Sequence, residues 1–72
     1  MKSYPSVELV HEGRYAAEVD VTLIETGTEW SPYLSLEDSE KLEQVRLALR
    51  NGDLKAAAKL GRVFELTPVA AE

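Results

Sequence analysis

Two acidic side chains, Glu18 and Asp20, are spaced for acid–base or cation chemistry. They stand two residues apart in an alternating stretch, so both project from one face of a predicted strand. Paired carboxylates can act as general acid and base, or they can hold a hard cation. The neighbouring sequence supplies no nucleophile and no glycine-rich phosphate loop. We therefore expect a solvated strand face, no catalytic residue, no cofactor and no enzymatic activity.

His11 is the single histidine of the chain, and Glu12 follows it directly. Adjacent residues on a strand point to opposite faces, so these two side chains would not converge on a metal ion. The chain contains no cysteine that could supply a thiolate ligand. We expect a surface histidine near a turn and no metal site.

Basic side chains gather from Arg46 onward, although the whole protein is acidic, with a net charge of −5. Arg46 and Arg50 lie one helical turn apart, and Lys59 follows on a second predicted helix. Such a cluster could contact phosphates. The aromatic residues are not interleaved with these bases, and no helix-turn-helix pattern is complete. Nucleic-acid binding through Arg46, Arg50 and Lys59 is therefore the alternative prediction.

An aromatic segment is the most suggestive candidate for a binding site. Trp30, Pro32 and Tyr33 bring together large side chains of the kind that anchor protein interfaces. The same residues could equally fill the core of so small a chain. Leu47 is a second candidate contact, because a helical wheel places it opposite the apolar stripe of its own helix. It could also pack under the second helix.

The elements that must position these side chains start with a strand at residues 14–25. Tyr15, Ala17, Val19, Val21 and Leu23 alternate with polar or small residues, which predicts one buried and one solvated face. Residues 7–11 should form a shorter antiparallel arm, with Gly13 at positive φ in the turn. The distal half of the longer strand, residues 20–25, is then left without a partner inside the hairpin.

Two helices and a closing strand follow the aromatic segment, which itself should be an edge strand or an extended loop because Pro32 cannot donate to a ladder. Ser35 can cap a helix over residues 36–50, and Gly52 can end it in a left-handed conformation. The apolar stripe of that helix comprises Leu42, Val45, Ala48 and Leu49.

Asp53 caps a second helix over residues 54–60, and Gly61 is expected to end it in the same left-handed way. Residues 62–67 predict a final strand that pairs with the distal half of the long strand.

The predicted fold is a single α+β domain spanning residues 1–72. It is a small antiparallel sheet of three or four strands, covered on one face by one long and one short helix, in the order β-β-(extended)-α-α-β. A chain of 72 residues buries a thin core, and without disulfides self-association would help to stabilise it. The sequence shows no signal peptide and no apolar run of membrane-spanning length, so we expect a cytoplasmic protein without membrane contact.

Residues 13–19 (GRYAAEV), 30–38 (WSPYLSLED), 50–54 (RNGDL) and 63–69 (VFELTPV) resemble a family of short uncharacterised bacterial proteins. The resemblance covers nearly all of the chain, and such proteins are loosely associated with toxin–antitoxin gene pairs. A more distant architectural likeness is to the HicB-type antitoxin domain. The proline-glycine loop expected after the strands of that domain is absent here. No catalytic residues come with either likeness.

The sequence therefore predicts a non-enzymatic interaction protein of the antitoxin-like or small-regulator kind. Its partner would be another protein or a second copy in a homodimer, contacted through Trp30, Pro32, Tyr33 and Leu47.

Overall fold

The structure is a computed structural model, and it describes residues 2–27 and 32–70. It confirms an α+β fold, with a four-stranded antiparallel sheet and two helices in the predicted chain order. The elements are β1 (Lys2–Glu12), β2 (Tyr15–Glu25), β3 (Tyr33–Leu34), α1 (Leu36–Arg50), α2 (Leu54–Leu60) and β4 (Arg62–Glu65).

β1 and β2 form a hairpin in which all eleven residues of each strand are paired, from Lys2 opposite Glu25 to Glu12 opposite Tyr15. Gly13 has the predicted positive φ, at 59°. The prediction of a short first arm at residues 7–11 was wrong, and so was the unpaired distal half that followed from it. Residues 2–6 carry little strand signal of their own, but pairing with β2 satisfies their backbone groups.

β3 and β4 share the other edge of β2. β3 pairs with Leu23 and Ile24, so of the two alternatives predicted for the aromatic segment, an edge strand or an extended loop, its end forms a two-residue edge strand. β4 pairs with the first half of β2, from Tyr15 opposite Glu65 to Glu18 opposite Arg62. The predicted pairing of the last strand with the distal half was therefore wrong. The distal position is occupied by β3, and α2 returns the chain to the opposite end of the sheet.

The core lies between β2 and the two helices. Ala17, Val19 and Val21 of β2 are buried, which confirms the alternating pattern that predicted them. Val45 and Leu49 of α1 are buried against them, and Leu42 and Ala48 pack at the margin of the same cluster. Val10 of β1 and Ala57 of α2 complete the buried set of this cluster.

The helix ends follow local sequence signals. The Ser35 hydroxyl accepts a hydrogen bond from the Asp38 amide, as predicted for an N-cap. At the other end the Asp53 amide donates to the Ala48 carbonyl and the Gly52 amide to the Leu49 carbonyl, which is a Schellman motif around Gly52 at φ 75°. The Asp53 carboxylate then caps α2 through the Ala56 amide.

Gly61 ends α2 in an extended conformation, with φ at −167°, so the prediction of a left-handed stop was wrong. A Cβ atom at this position would lie 2.6 Å from the Glu18 carbonyl oxygen and 3.1 Å from a methyl group of Val19. Glycine is needed here because the backbone passes directly against β2.

Between β3 and β4, a stretch of the β2 edge faces the first turns of α1 instead of a strand. The Thr22 amide donates to Asp38 Oδ2 at 2.8 Å, and the Asp20 carbonyl accepts from Lys41 Nζ at 2.6 Å. Side chains of α1 therefore satisfy backbone groups that a longer edge strand would otherwise have paired. Across residues 2–27 and 32–70, neither helix is long and apolar enough to cross a membrane.

Candidate interaction surface

The sheet face opposite the helices, called the open face below, carries the side chains that alternate with the core. Strand alternation and register place on it five residues of β1, five of β2, one of β3 and two of β4. These are Ser3, Pro5, Val7, Leu9 and His11; Ala16, Glu18, Asp20, Thr22 and Ile24; Tyr33; and Arg62 and Phe64.

Arg62 binds both carboxylates singled out in the sequence. Its Nε lies 3.1 Å from Glu18 Oε1, and its two terminal nitrogens each lie 3.1 Å from an oxygen of Asp20. β4 positions this guanidinium, because Arg62 is the register partner of Glu18. The hydrogen bonds that Arg62 donates and its positive charge lower the pKa of Asp20, and the hydrogen bonds that Asp20 and Glu18 accept raise the pKa of Arg62. The carboxylates are engaged in an ion-pair cluster, which leaves them poorly suited to act as a general acid and base.

Apolar side chains surround this cluster. Val7 and Leu9 of β1 are 53% and 66% exposed, Phe64 of β4 is 46% exposed and Tyr33 of β3 is 44% exposed. Single exposed apolar residues are common on protein surfaces, but here three strands contribute them to one face. The open face therefore offers apolar contact area around a charged centre.

The outer edge of β1 is the second notable feature, because no described strand pairs with it. Thr22 and Asp20 direct their backbone groups away from β1, toward α1. The N–H and C=O groups of successive residues point to opposite edges of a strand. The residues of β2 on either side of Thr22 and Asp20 therefore bond to β1. Every second residue of β1 takes part in these bonds, and the residues between them point their backbone groups outward. The backbone groups on this free edge belong to Ser3, Pro5, Val7, Leu9 and His11.

A second ion-pair cluster lies on the helix-covered face. Glu12 Oε1 is 3.2 Å from Arg50 Nε, and Glu12 Oε2 is 3.4 Å from Arg46 Nη1. The hydrogen bond from Arg50, with the positive charge of both arginines, lowers the pKa of Glu12, and the pKa of Arg50 is raised in turn. Two of the three bases predicted as phosphate contacts are thus already paired, while Lys59 is exposed on α2.

The predicted partner-binding residues do not converge on one surface. Trp30 lies outside the described residues, so its predicted role is untested. Pro32 is half-buried, and Tyr33 lies on the open face, opposite Ile24. Leu47, also 44% exposed, faces solvent from α1 on the other side of the protein.

Sequence reasoning missed Val7, Leu9 and Phe64, because their exposure depends on which strands lie at the edges. It also left Arg62 unassigned to a partner. His11 is exposed, as predicted, and its Nε2 lies 2.7 Å from the Gly13 carbonyl oxygen. Within the described part of the chain, no group of histidine, cysteine or acidic residues is arranged to hold a metal ion.

Comparison of the chain with protein-family models, with curated proteins and with solved structures finds no match.

Proposed function

We propose that the protein is a non-enzymatic protein–protein interaction module, of the antitoxin-like or small-regulator kind. The observation that carries this proposal is the set of exposed apolar side chains on the open face. They come from three strands, and the described chain leaves them uncovered. Covering such side chains with a partner is favourable by about 25 cal/mol for each Å² of apolar area removed from water.

The open face is a better docking surface than the exposed side of α1. Tyr33 is an aromatic residue of the type enriched at interface hot spots, and it is supported by Ile24 beside it. Leu47 is exposed to the same extent, but it lies on the opposite side of the protein. A partner docked on one side of the protein could therefore contact Tyr33 or Leu47 but not both, and we assign the contact to Tyr33. Pro32 and the undescribed Trp30 adjoin Tyr33 in the chain and keep their proposed role as further anchors.

The charge of the chain favours a basic partner. The net charge is −5, which steers association with a positively charged protein. The engagement of Glu18 and Asp20 by Arg62 supports a binding role for the open face over a catalytic one. The cytoplasmic location stays a prediction from the sequence.

The test measures binding to the purified product of the adjacent gene by calorimetry. Tyr33→Ala and Phe64→Ala, which lie toward opposite ends of the open face, should each weaken binding about tenfold or more. Leu47→Ala is the matched control, since its 44% exposure equals that of Tyr33, and it should bind like the wild type. Equal binding by all variants, or loss confined to Leu47→Ala, would contradict the proposal. A neighbouring product that fails to bind the wild-type chain would contradict its antitoxin-like part.

Nucleic-acid binding through Arg46, Arg50 and Lys59 remains the alternative proposal. The ion pairs of Arg46 and Arg50 with Glu12 weigh against it, because phosphates would have to compete with a carboxylate already in place. The affinity of phosphate contacts falls steeply with added salt. A titration with DNA and RNA should therefore show binding at low salt that weakens at moderate salt, and no binding at low salt would rule out this alternative.

A further inference from the structure

The free edge of β1 is unusually long and lightly protected. It runs through all eleven residues of the strand, Lys2–Glu12. Natural proteins blunt such edges with prolines, charged side chains or bulges, because unpaired backbone groups recruit other strands. Pro5 is the one proline on this edge, and it stands where its missing N–H would point outward. The other outward residues retain both their donor and their acceptor.

The apolar side chains nearest this edge lack neighbours on one side. Val7 lies opposite Asp20 and Leu9 opposite Glu18, so β2 offers them charged neighbours. Toward the outer edge they meet solvent, which agrees with their exposures of 53% and 66%. A strand added to this edge would supply the missing apolar contacts.

A second copy of β1 fits this edge in the antiparallel register that overlaps both strands fully. Val7 then faces Val7 of the second copy, and Pro5 of each copy faces Leu9 of the other. The open face gains a continuous apolar block at the junction. The two Val7 residues can exchange a pair of backbone hydrogen bonds, and each Leu9 amide can donate to the Pro5 carbonyl of the other copy. Because Pro5 has no N–H, one donor per copy is missing from the junction.

The same register is complementary on the helix-covered face. Lys2 of each copy lies opposite Glu12 of the other, Tyr4 opposite Val10, and Ser6 opposite Glu8. No ion pair within the described residues engages Lys2, so its charge is available to Glu12 of the second copy. A shift of the pairing toward the turn would instead place Glu8 opposite Glu8, which like-charge repulsion disfavours.

We propose that two copies of the chain associate through their β1 edges in this register, forming one continuous antiparallel sheet with all helices on the same side. This inference rests on the proposed function, because it names a second copy as a partner of the same sheet. The dimer leaves Tyr33 and Phe64 at the far edge of each copy, where a different protein could still bind.

Sedimentation equilibrium of the intact chain tests the dimer. The wild type should be dimeric, and Val7→Lys should raise the dimer dissociation constant about tenfold or more, because it removes the central apolar pair and opposes two positive charges. Phe64→Lys is the matched control, since it places the same charge on the same face at the opposite edge, and it should leave the dimer intact. Exchange of the Val7 and Leu9 amides should slow with rising protein concentration in the wild type.

A wild-type chain that remains monomeric up to about 1 mM would overturn the inference. A dimer lost in Phe64→Lys but retained in Val7→Lys would also overturn it, because that result indicates stacking of open faces. Circular dichroism of each variant checks that it folds. A monomeric chain that still binds the adjacent gene product through Tyr33 would refute the β1 dimer and leave the proposed function standing.

Discussion

Gly61 sets how closely the end of α2 approaches β2. Its φ of −167° is open to any residue, so the requirement for glycine comes from the space around it. The Glu18 carbonyl, 2.6 Å from a hypothetical Cβ, belongs to the backbone and cannot rotate away. A left-handed cap and a close backbone approach both select glycine. The glycine at the end of α2 therefore did not distinguish between them, and the predicted left-handed stop was the wrong choice.

Gly61→Ala should destabilise the fold by about 1–3 kcal/mol, since the added methyl group must displace α2 or the β2 backbone. Gly13→Ala is the control, because its added Cβ meets no atom within 4 Å, although its φ of 59° is strained for alanine. It should cost about 1 kcal/mol. Urea unfolding of both variants measures the difference, and a Gly61→Ala midpoint equal to the wild type would refute the steric argument.

At the scale of elements, α1 does more than cover the sheet. Its first two turns contribute Asp38 and Lys41 to the β2 edge, where they bond the Thr22 amide and the Asp20 carbonyl. The helix is thereby fixed along the strand as well as across it. The apolar stripe alone would tolerate sliding better, because dispersion and burial are not directional.

Asp38→Ala should lower stability by about 1 kcal/mol, because the Thr22 amide loses its acceptor. The N-cap survives this change, since Ser35 bonds the Asp38 main chain. Native-state hydrogen exchange should show faster exchange at Thr22 in this variant. Glu37→Ala, an exposed change in the same turn, is the control, and unchanged exchange at Thr22 in Asp38→Ala would count against the edge contact.

The elements and the β1–β2 hairpin were predictable, but the extent of β1 and the half of β2 that pairs with β4 were not. Alternation identified β2 and its buried face, and the signals at Ser35, Gly52 and Asp53 marked the helix ends. A period of two reveals which face of a strand is buried, but it does not reveal which strand lies beside it. The pairing of β4 with the first half of β2 depends on where α2 delivers the chain. The extension of β1 to Lys2 depends on the length of β2, because the run Lys2-Ser3-Tyr4-Pro5 has no strand pattern.

The candidate site was less predictable than the fold for the same reason. Glu18 and Asp20 were recognised as a pair, but Arg62 lies more than forty residues later and joins them only through the β2–β4 register. Val7 and Leu9 look like core residues in a short apolar run. Their exposure follows from β1 being an edge strand with no layer packed on its open face.

At the scale of the whole molecule, two arginines connect distant parts of a flat structure with extents of 47 × 32 × 14 Å. Arg62 ties β4 to β2 across the open face, and Arg50 ties α1 to β1 at Glu12. Arg62 lowers the pKa of Asp20, and Arg50 lowers the pKa of Glu12. The pairs therefore stabilise the fold above the ordinary carboxyl pKa, and this contribution is lost as the pH falls through the lowered values of the folded state.

Arg62→Gln should raise the pKa of Asp20 toward its ordinary value, because its hydrogen-bonded cation is removed. The stability difference between wild type and variant should be present at neutral pH and shrink in acid. An NMR titration of the Asp20 carboxyl carbon measures the first effect, and unfolding at several pH values measures the second. Arg14→Gln, which removes an exposed pair with Glu65, should leave the Asp20 titration unchanged. An Asp20 midpoint insensitive to Arg62→Gln would contradict the assignment.

The long sequence separation between β2 and β4 also bears on how the chain is made. The hairpin can form as soon as it leaves the ribosome, because its strands are joined by a tight turn. β4 is synthesised about forty residues later. During translation, both the open face of the nascent hairpin and the valines that α1 and α2 later cover are therefore exposed to solvent. Until Arg62 emerges from the exit tunnel, Glu18 and Asp20 lack the guanidinium that binds them in the folded chain, so this part of the nascent open face carries uncompensated negative charge.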